Sequence, residues 1–206
     1  MNIVRLLASA VLGYLLGNIQ TGLIVGWTTK KIDLRQHGSG SSGATNALRI
    51  LGRQSALWTL LGDFLKGLLA ACLGLLIGGW RGGLLAGMCV VAGHIWPVFF
   101  GFKGGKGVAT SLGVLTPLMP LQALLVAVTG ITLILTTRIV SLSNMLAACL
   151  FLVTGSVTAI VRSDWLLLAF SVLLPAMIVF AHRANIHRIL AGTESRISAS
   201  MFHKKK

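Results

Sequence analysis

Residues 107–137 read GVATSLGVLTPLMPLQALLVAVTGITLILTT, a stretch without charge that is too long for one membrane-spanning helix. About 20 apolar residues are enough to cross the hydrocarbon of a bilayer as a helix. Pro117 and Pro120 interrupt the stretch, and proline ends or kinks a helix. The stretch therefore predicts two helices in a membrane, a short one over 107–116 and a full one over 120–137.

The composition of the whole chain favours the same environment. Its 206 residues are 55% hydrophobic and only 11% charged, whereas about a quarter of the residues of a soluble domain are charged. Further apolar runs occupy 3–27, 56–80, 83–100, 142–161 and 165–181. We therefore predict an all-α integral membrane protein with seven transmembrane helices, in one transmembrane domain over 1–206.

The basic residues predict the orientation of these helices. Lysine and arginine number 18 against four acids, a formal charge of +14. With seven helices, one side of the membrane carries Arg5, Arg81 and Arg162. The other side carries Lys30, Lys31, Arg35, Arg49, Arg53, Lys103, Lys106, Arg138 and the tail 183–206. Cytoplasmic loops of membrane proteins carry an excess of lysine and arginine, so the second side is predicted to be cytoplasmic. We therefore expect the N-terminus outside and the C-terminus inside.

Other function classes are disfavoured by the same residues. The basic residues are scattered between apolar runs, so we expect no nucleic-acid partner. The three cysteines lie inside apolar runs, without metal-ligand spacing, so we expect no metal. We also expect no cofactor, and a monomer in the bilayer.

The first polar connection contains HGSGSSGATN at 37–46. Its glycines match the G-x-G-x-x-G of dinucleotide-binding loops, but that motif needs a preceding strand, and here an apolar run precedes it. A flexible linker and a phosphate-binding loop remain as interpretations. Hydroxyl and amide side chains among the glycines, followed by Arg49, favour phosphate.

A second connection reads GFKGGKGVAT at 101–110. It differs from the Walker loop at Phe100 and Gly107, so no P-loop ATPase is predicted. Glycines nevertheless surround Lys106 at the start of a helix, where free N–H groups suit phosphate. The alternative is a tight turn whose lysines extend toward the lipid surface.

A third stretch, AHRANIHRILAGTE at 181–194, places His182 and Asn185 on one helix face. Such a pair could bind or orient a hydroxyl group, or the basic segment could only anchor the helix at the membrane surface.

Asp63, Lys66 and His94 lie inside apolar runs, and we interpret them as structural. Asp63 and Lys66 are spaced to neutralise each other on one helix face. His94 is interpreted as a core histidine with its hydrogen bonds satisfied.

Taken together, five stretches resemble the PlsY family of bacterial acyl-phosphate:glycerol-3-phosphate acyltransferases over nearly the whole chain. They are, in order, HGSGSSGATNALRILG, LGDFLKG, GHIWPVFFGFKGGKGVAT, RIVSLSN and HRANIHRILAGTE. The resemblance implies transfer of a fatty acyl group from acyl-phosphate to the 1-hydroxyl of glycerol 3-phosphate. The products are lysophosphatidic acid and phosphate, in the first step of phospholipid biosynthesis. It also implies a multi-pass protein of the bacterial inner membrane whose active site is at the cytoplasmic face.

The resemblance also implies roles for individual residues. The implied catalytic set is Ser39, Arg49, Lys106, His182 and Asn185. The implied substrate-binding set is Gly38, Gly40, Thr45, Asn46, Lys103, Gly104, Gly105, Gly107, Ser141, Ser143 and Asn144. Glu194 is expected to hold the fold.

The chain departs from the family pattern in three places. GNIQTG at 17–22 stands where the family has a G-S-I-P-F-G-like run. Ser41 and Ser42 replace an asparagine and a variable residue, and SLSN replaces S-L-A-S. None of these departures removes a lysine or arginine of the phosphate loops.

An acyl-phosphate is already an activated anhydride, so a strong protein nucleophile is not needed. The enzyme must align the hydroxyl with the carbonyl and stabilise developing charge. The hydroxyl proton could pass to His182 or to the phosphate of the substrate, and we favour the phosphate. The rivals are a small transporter of a phosphorylated solute, disfavoured because no repeat is visible, and a structural scaffold, disfavoured by the three anion-suited loops.

Overall fold

In a computed structural model the described residues are 2–197, and they are helical apart from the connections. The α-helices are α1 (Ile3–Gly17), α2 (Thr21–Lys30), α3 (Ala44–Leu51), α4 (Arg53–Ile95), α5 (Val108–Leu118), α6 (Pro120–Thr137), α7 (Val140–Val161), α8 (Trp165–Ala181) and α9 (Arg183–Leu190). The predicted all-α class is confirmed. The end of the predicted basic tail, 198–206, lies outside the described residues.

Four helical stretches within 2–197 are long and apolar enough to cross a membrane, judged by length and composition. They are Ile3–Lys30, Arg53–Phe100, Pro120–Thr137 and Val140–Val161. Helices α8 and α9, bent by 59° at their junction, make a fifth if they are taken together. The predicted number of seven thus stays a prediction.

Helix α4 is a hairpin of two helices within one continuous stretch of 43 residues. Gly78 (φ −128°, ψ 16°) and Gly79 (φ 61°, ψ −155°) break the helical geometry. The chain then turns back on itself, because Gly74 lies against Gly82 and Ala86 of the second half. The break corresponds to the connection predicted at 80–82 and begins two residues before it.

The first apolar run differs more from its prediction. The run predicted over 3–27 is divided into α1 and α2 at residues 18–20. Gly13 and Gly17 of α1 lie against the backbone of Ala86 and Val90 in α4. Small residues let two membrane helices approach this closely, so the second half of α4 fixes the position of α1.

The remaining helices begin and end close to the predicted positions. Helices α6 and α8 have the predicted bounds, and α7 begins two residues earlier. Pro117 lies in the last turn of α5, and the break falls at Met119, just before Pro120. Proline at the first position of a helix is tolerated because its missing N–H has no helical partner there, which explains why Pro120 starts α6.

The core forms where the second half of α4 meets α5 and α8, around Val90, Val114 and Phe170, which are each at most 1% exposed. Large apolar side chains such as Leu76 and Val161 are exposed on the outer face of the bundle. The end of α4, the start of α5 and the junction of α8 with α9 meet at one end of the bundle, where the connections carry the polar motifs.

Candidate active site

An open pocket of about 290 Å³ lies at this end of the bundle. Its walls come from the loop before α3, the end of α4, the loop before α5 and the junction of α8 with α9. The lining residues are Arg35, Ser39, Gly40, Ser41, Ile95, Trp96, Phe102, Lys103, Gly104, Gly105, Lys106, Ala181, Arg183, Ala184, Asn185 and Arg188. The three polar motifs, far apart in sequence, therefore share one pocket.

The charge of the pocket wall has one sign. Five lining residues are basic, namely Arg35, Lys103, Lys106, Arg183 and Arg188, and none of the lining residues is acidic. A concave wall of one charge attracts ligands of the opposite charge. The pocket is thus suited to an anion.

Asn46 shapes the serine-rich loop, residues 37–43, from behind. Its side chain is buried and accepts a hydrogen bond from the Ser39 N–H at 3.0 Å. Its amide group also donates to the carbonyls of Leu34, His37 and Ser41. The side-chain oxygen and nitrogen of Asn46, which was predicted to bind substrate, thus form hydrogen bonds to the loop and to Leu34.

Gly38 is required by this arrangement. Its φ of 61° is a conformation that L side chains rarely adopt, and a Cβ there would overlap the Asn46 amide oxygen. Gly38, also predicted to bind substrate, is not among the lining residues. It turns the loop so that Ser39 and Gly40 line the pocket.

Lys106 contacts the third motif, residues 181–194, directly. Its ammonium donates a hydrogen bond to the Asn185 side-chain oxygen. The pKa of Lys106 is lowered to about 8, mainly by burial. The Glu194 carboxylate raises this pKa, and the positive charges of Arg188 and Arg49 lower it. A lysine so placed keeps its charge most easily when an anion joins it.

Glu194 holds the third motif together. Its carboxylate accepts hydrogen bonds from Ser141 (2.8 Å), Asn185 (2.6 Å) and Arg188 (2.7 Å). Burial alone would raise the pKa of this carboxyl, but the three hydrogen bonds outweigh it and keep the pKa below its usual value. Ser141 thus contacts Glu194 beside the pocket and is not among its lining residues.

Arg49 and His182 lie next to the pocket and are not among its lining residues. Each is near enough to Lys106 for an electrostatic interaction with it. Arg49, on α3, is half-buried. His182 is fully buried, with Nδ1 donating to the Ile178 carbonyl at 2.8 Å and Nε2 without a hydrogen-bond partner in the described part of the chain.

Four other predicted residues are outside the pocket lining. Gly107 precedes the first residue of α5, and Thr45 lies in the first turn of α3. Ser143 donates to the Ile139 carbonyl at 2.9 Å. Asn144 lines a separate small apolar crevice.

Some lining residues were not predicted from the sequence. Arg35 is held by a 2.7 Å ion pair with Asp33 and donates to the Phe100 carbonyl at 2.8 Å. Arg188 follows Asn185 by three residues on α9, a helical spacing that could have indicated it. The remaining unpredicted polar residues are Ser41 and Arg183, and the aromatic ones are Trp96 and Phe102.

The fold and the pocket define an all-helical integral membrane protein with a basic pocket at one end. The sequence profile of the family described as glycerol-3-phosphate acyltransferase matches residues 7–192. The chain belongs to this family and is an acyltransferase, as the resemblance predicted. The transporter alternative is therefore set aside.

Relatives and solved structures agree with this membership. A glycerol-3-phosphate acyltransferase of Thermoanaerobacter pseudethanolicus is 43% identical over 194 residues, which cover 92% of this chain and 94% of the relative. One from Exiguobacterium sibiricum is 41% identical over 203 residues, 98% of each chain.

Among solved structures, the glycerol 3-phosphate form of PlsY is 36% identical, with a TM-score of 0.85 over 96% of this chain and 98% of that one. The lysophosphatidic acid form of PlsY is 35% identical, with a TM-score of 0.82 over 95% of this chain and 97% of the other.

Proposed function

We propose that this chain transfers a fatty acyl group from acyl-phosphate to the 1-hydroxyl of glycerol 3-phosphate, giving lysophosphatidic acid and phosphate. Both substrates carry phosphate groups, and the pocket wall carries five basic side chains and no acid, with Arg35 and Arg188 paired to acids outside the lining. This observation carries the proposal. The PlsY structures in glycerol 3-phosphate and lysophosphatidic acid forms support it by similarity.

In this proposal Lys106, oriented by Asn185, binds a substrate phosphate, and Arg49 adds charge from α3. Ser39, Gly40 and the glycines 104 and 105 form the wall around it. Lys103 and Arg183 are exposed at the rim, where they would attract the second phosphate. The remaining predicted residues would act from behind the wall, by shaping the loops that carry these groups.

The proposed chemistry needs no covalent enzyme intermediate. The 1-hydroxyl oxygen attacks the acyl carbonyl carbon, and the bond from that carbon to the phosphate oxygen breaks. Cationic donors stabilise the charge that develops on the carbonyl oxygen and on the leaving phosphate. The hydroxyl proton passes to the departing phosphate, because Nε2 of His182 is buried and His182 is not among the residues that line the pocket.

We further propose that the pocket faces the cytoplasm of the bacterial inner membrane and that the single domain acts as a monomer. Counting the two halves of α4 separately, and α5 as a short span, gives seven spans. The strongly basic connections would then lie on the pocket side, as retention of positive charge in the cytoplasm requires.

Purified protein supplied with glycerol 3-phosphate and acyl-phosphate tests the proposal. We expect one phosphate released for each lysophosphatidic acid formed, and no product when acyl-phosphate is replaced by an acyl thioester. Product from the thioester at a comparable rate, or none from acyl-phosphate, would overturn the proposed donor.

A further inference from the structure

A chain of buried hydrogen bonds connects the two loops that form the pocket. Ser42, just after the loop residues that line the pocket, donates from its hydroxyl to the Gln20 side-chain oxygen at 2.7 Å. The Gln20 amide donates to the His94 carbonyl at 3.2 Å. That same carbonyl accepts from the Gly105 N–H at 3.1 Å. The serine-rich loop and the lysine loop, residues 101–107, are thus joined through Gln20.

Both ends of this chain lie directly beside pocket residues. Ser42 follows Ser41, and Gly105 precedes Lys106, and both Ser41 and Lys106 line the pocket. Gln20 and Ser42 are each 1% exposed, so water does not compete for these hydrogen bonds. A buried bond of this kind holds its partners more firmly than an exposed one, because breaking it leaves polar atoms unsatisfied.

His94 supports the lysine loop with its ring as well as its carbonyl. A Cβ at Gly105 would overlap the imidazole, so the loop lies directly on the ring. The Gly104 N–H donates in parallel to the Ile95 carbonyl at 3.2 Å. The position of the lysine loop is therefore set by the last turn of α4.

Lys66 supports the surroundings of Gln20 through His94 and through Ile19, the residue before Gln20. Its ammonium lies 2.7 Å from Nδ1 of His94, 2.6 Å from the Ile19 carbonyl and 2.9 Å from the Asp63 carboxylate. An ammonium has three N–H donors, and here three acceptors surround it. Lys66 thus holds the His94 ring and the backbone next to Gln20 in one arrangement.

We propose that Gln20 is a positioning residue for the acyl transfer, which holds the serine-rich loop and the lysine loop at a fixed separation through the His94 carbonyl. The proposal rests on the proposed role of these loops in binding substrate phosphate. A misplacement of even about 1 Å in a substrate-positioning group can strongly reduce catalysis. The separation of the two loops therefore determines whether one phosphate group can contact both of them.

One departure from the family pattern takes part in this link. Gln20 lies in the GNIQTG run, one of the three places where the sequence differs, and Ser42 lies at a position where the family residue varies. In the structure these two residues are hydrogen-bond partners. Because the two side chains form one contact, we expect the effects of changing Gln20 and Ser42 to depend on each other.

The test compares Gln20→Met, which keeps the shape and removes both polar atoms, with Ser42→Ala and with the double variant. Gln122→Met is the matched control, because Gln122 also bridges two helices, with a 3.0 Å bond to Thr158, away from the pocket. Each purified protein is assayed for KM and kcat with glycerol 3-phosphate, and for thermal stability.

We expect Gln20→Met to raise KM for glycerol 3-phosphate about tenfold and Ser42→Ala about threefold, on the scale of single buried hydrogen bonds. The double variant should match Gln20→Met alone, and Gln122→Met should keep the wild-type KM. Unchanged KM in Gln20→Met, or effects of Gln20 and Ser42 that simply multiply, would overturn the proposal. If Gln20→Met does not fold, an unchanged KM in Ser42→Ala overturns it alone.

Lys106→Ala, assayed beside these variants, separates the two proposals. Weak binding in Lys106→Ala with wild-type KM in Gln20→Met would contradict the positioning role and leave the proposed function standing. The reverse result would leave the link between the loops supported and remove Lys106 as a phosphate ligand.

Discussion

Lys66 and Lys106 are both largely buried, but their surroundings differ. Lys66 lies inside the bundle, where a carboxylate, an imidazole and a carbonyl surround its ammonium. Lys106 lies at the pocket wall with one hydrogen-bond acceptor, Asn185, and with the like charges of Arg49 and Arg188 nearby. A buried lysine paired with a carboxylate stabilises the fold, whereas a lysine at a pocket wall lined by basic side chains is suited to binding an anion.

Lys106→Ala should have the largest effect on activity. We expect kcat/KM for glycerol 3-phosphate to fall about 10²–10³-fold, the scale of losing one strong donor at developing charge. Thermal stability should change little, because Lys106 has few internal partners to lose. Steady-state kinetics of acyl transfer measures the first effect and a thermal unfolding curve the second. Activity within threefold of wild type would contradict the role of Lys106.

Lys66→Met should show the opposite pattern, with a loss of stability. Removing Lys66 leaves Asp63 as a buried charge without its partner, which costs about 3–5 kcal/mol. Asp63→Asn combined with Lys66→Met should recover part of the lost stability, because both charges are then absent. Thermal unfolding in the same detergent provides the comparison. A double variant less stable than Lys66→Met would show that the ion pair is not the main interaction.

Arg49→Ala tests whether a second cation beside the pocket supports Lys106. We expect about a tenfold rise in KM for glycerol 3-phosphate, as for the loss of one hydrogen bond to a charged group. Because Arg49 lowers the pKa of Lys106, the variant should also keep Lys106 charged to higher pH. KM measured between pH 7 and 9 therefore gives two readouts, and a rise in KM without the pH change would mean that Arg49 acts independently of Lys106.

The pH dependence of the wild-type protein should show the smallest effect. The pKa of Lys106 is lowered to about 8, mainly by burial, so the ammonium form dominates below that pH and declines above it. Between pH 8 and pH 9 the charged fraction falls about fivefold, and the affinity for glycerol 3-phosphate should fall with it. Lys106→Arg should bind without this decline, because arginine stays charged. A decline that persists in Lys106→Arg would assign it to another group.

The sequence predicted the helices better than their contacts. Prolines and the lengths of apolar runs predicted the bounds of α6 and α8, because breaks and hydrocarbon thickness are local constraints. The break of the first run at residues 18–20 was missed, since GNIQTG contains neither proline nor charge. The reversal at Gly78 and Gly79 begins two residues before the predicted connection, because several glycines there could form the turn.

The site was predicted at the level of motifs and less well at the level of side chains. Ser39, Lys106 and Asn185 line one pocket, as three separate anion-suited stretches indicated. Asn46 instead holds the loop through hydrogen bonds to its carbonyls. The sequence could not predict this role, because the position of Asn46 in the chain does not reveal which carbonyls surround its amide group. Arg35 was not included in the predicted site, because its position depends on a contact with Phe100, 65 residues away.

Equilibrium binding of glycerol 3-phosphate to the purified protein at pH 7 tests the central claim most directly. The account predicts saturable binding to the wild type and to Gln122→Met with equal affinity, and binding at least about tenfold weaker to Lys106→Ala. Equal affinity of Lys106→Ala and the wild type would contradict the claim that this pocket binds the substrate phosphate through Lys106.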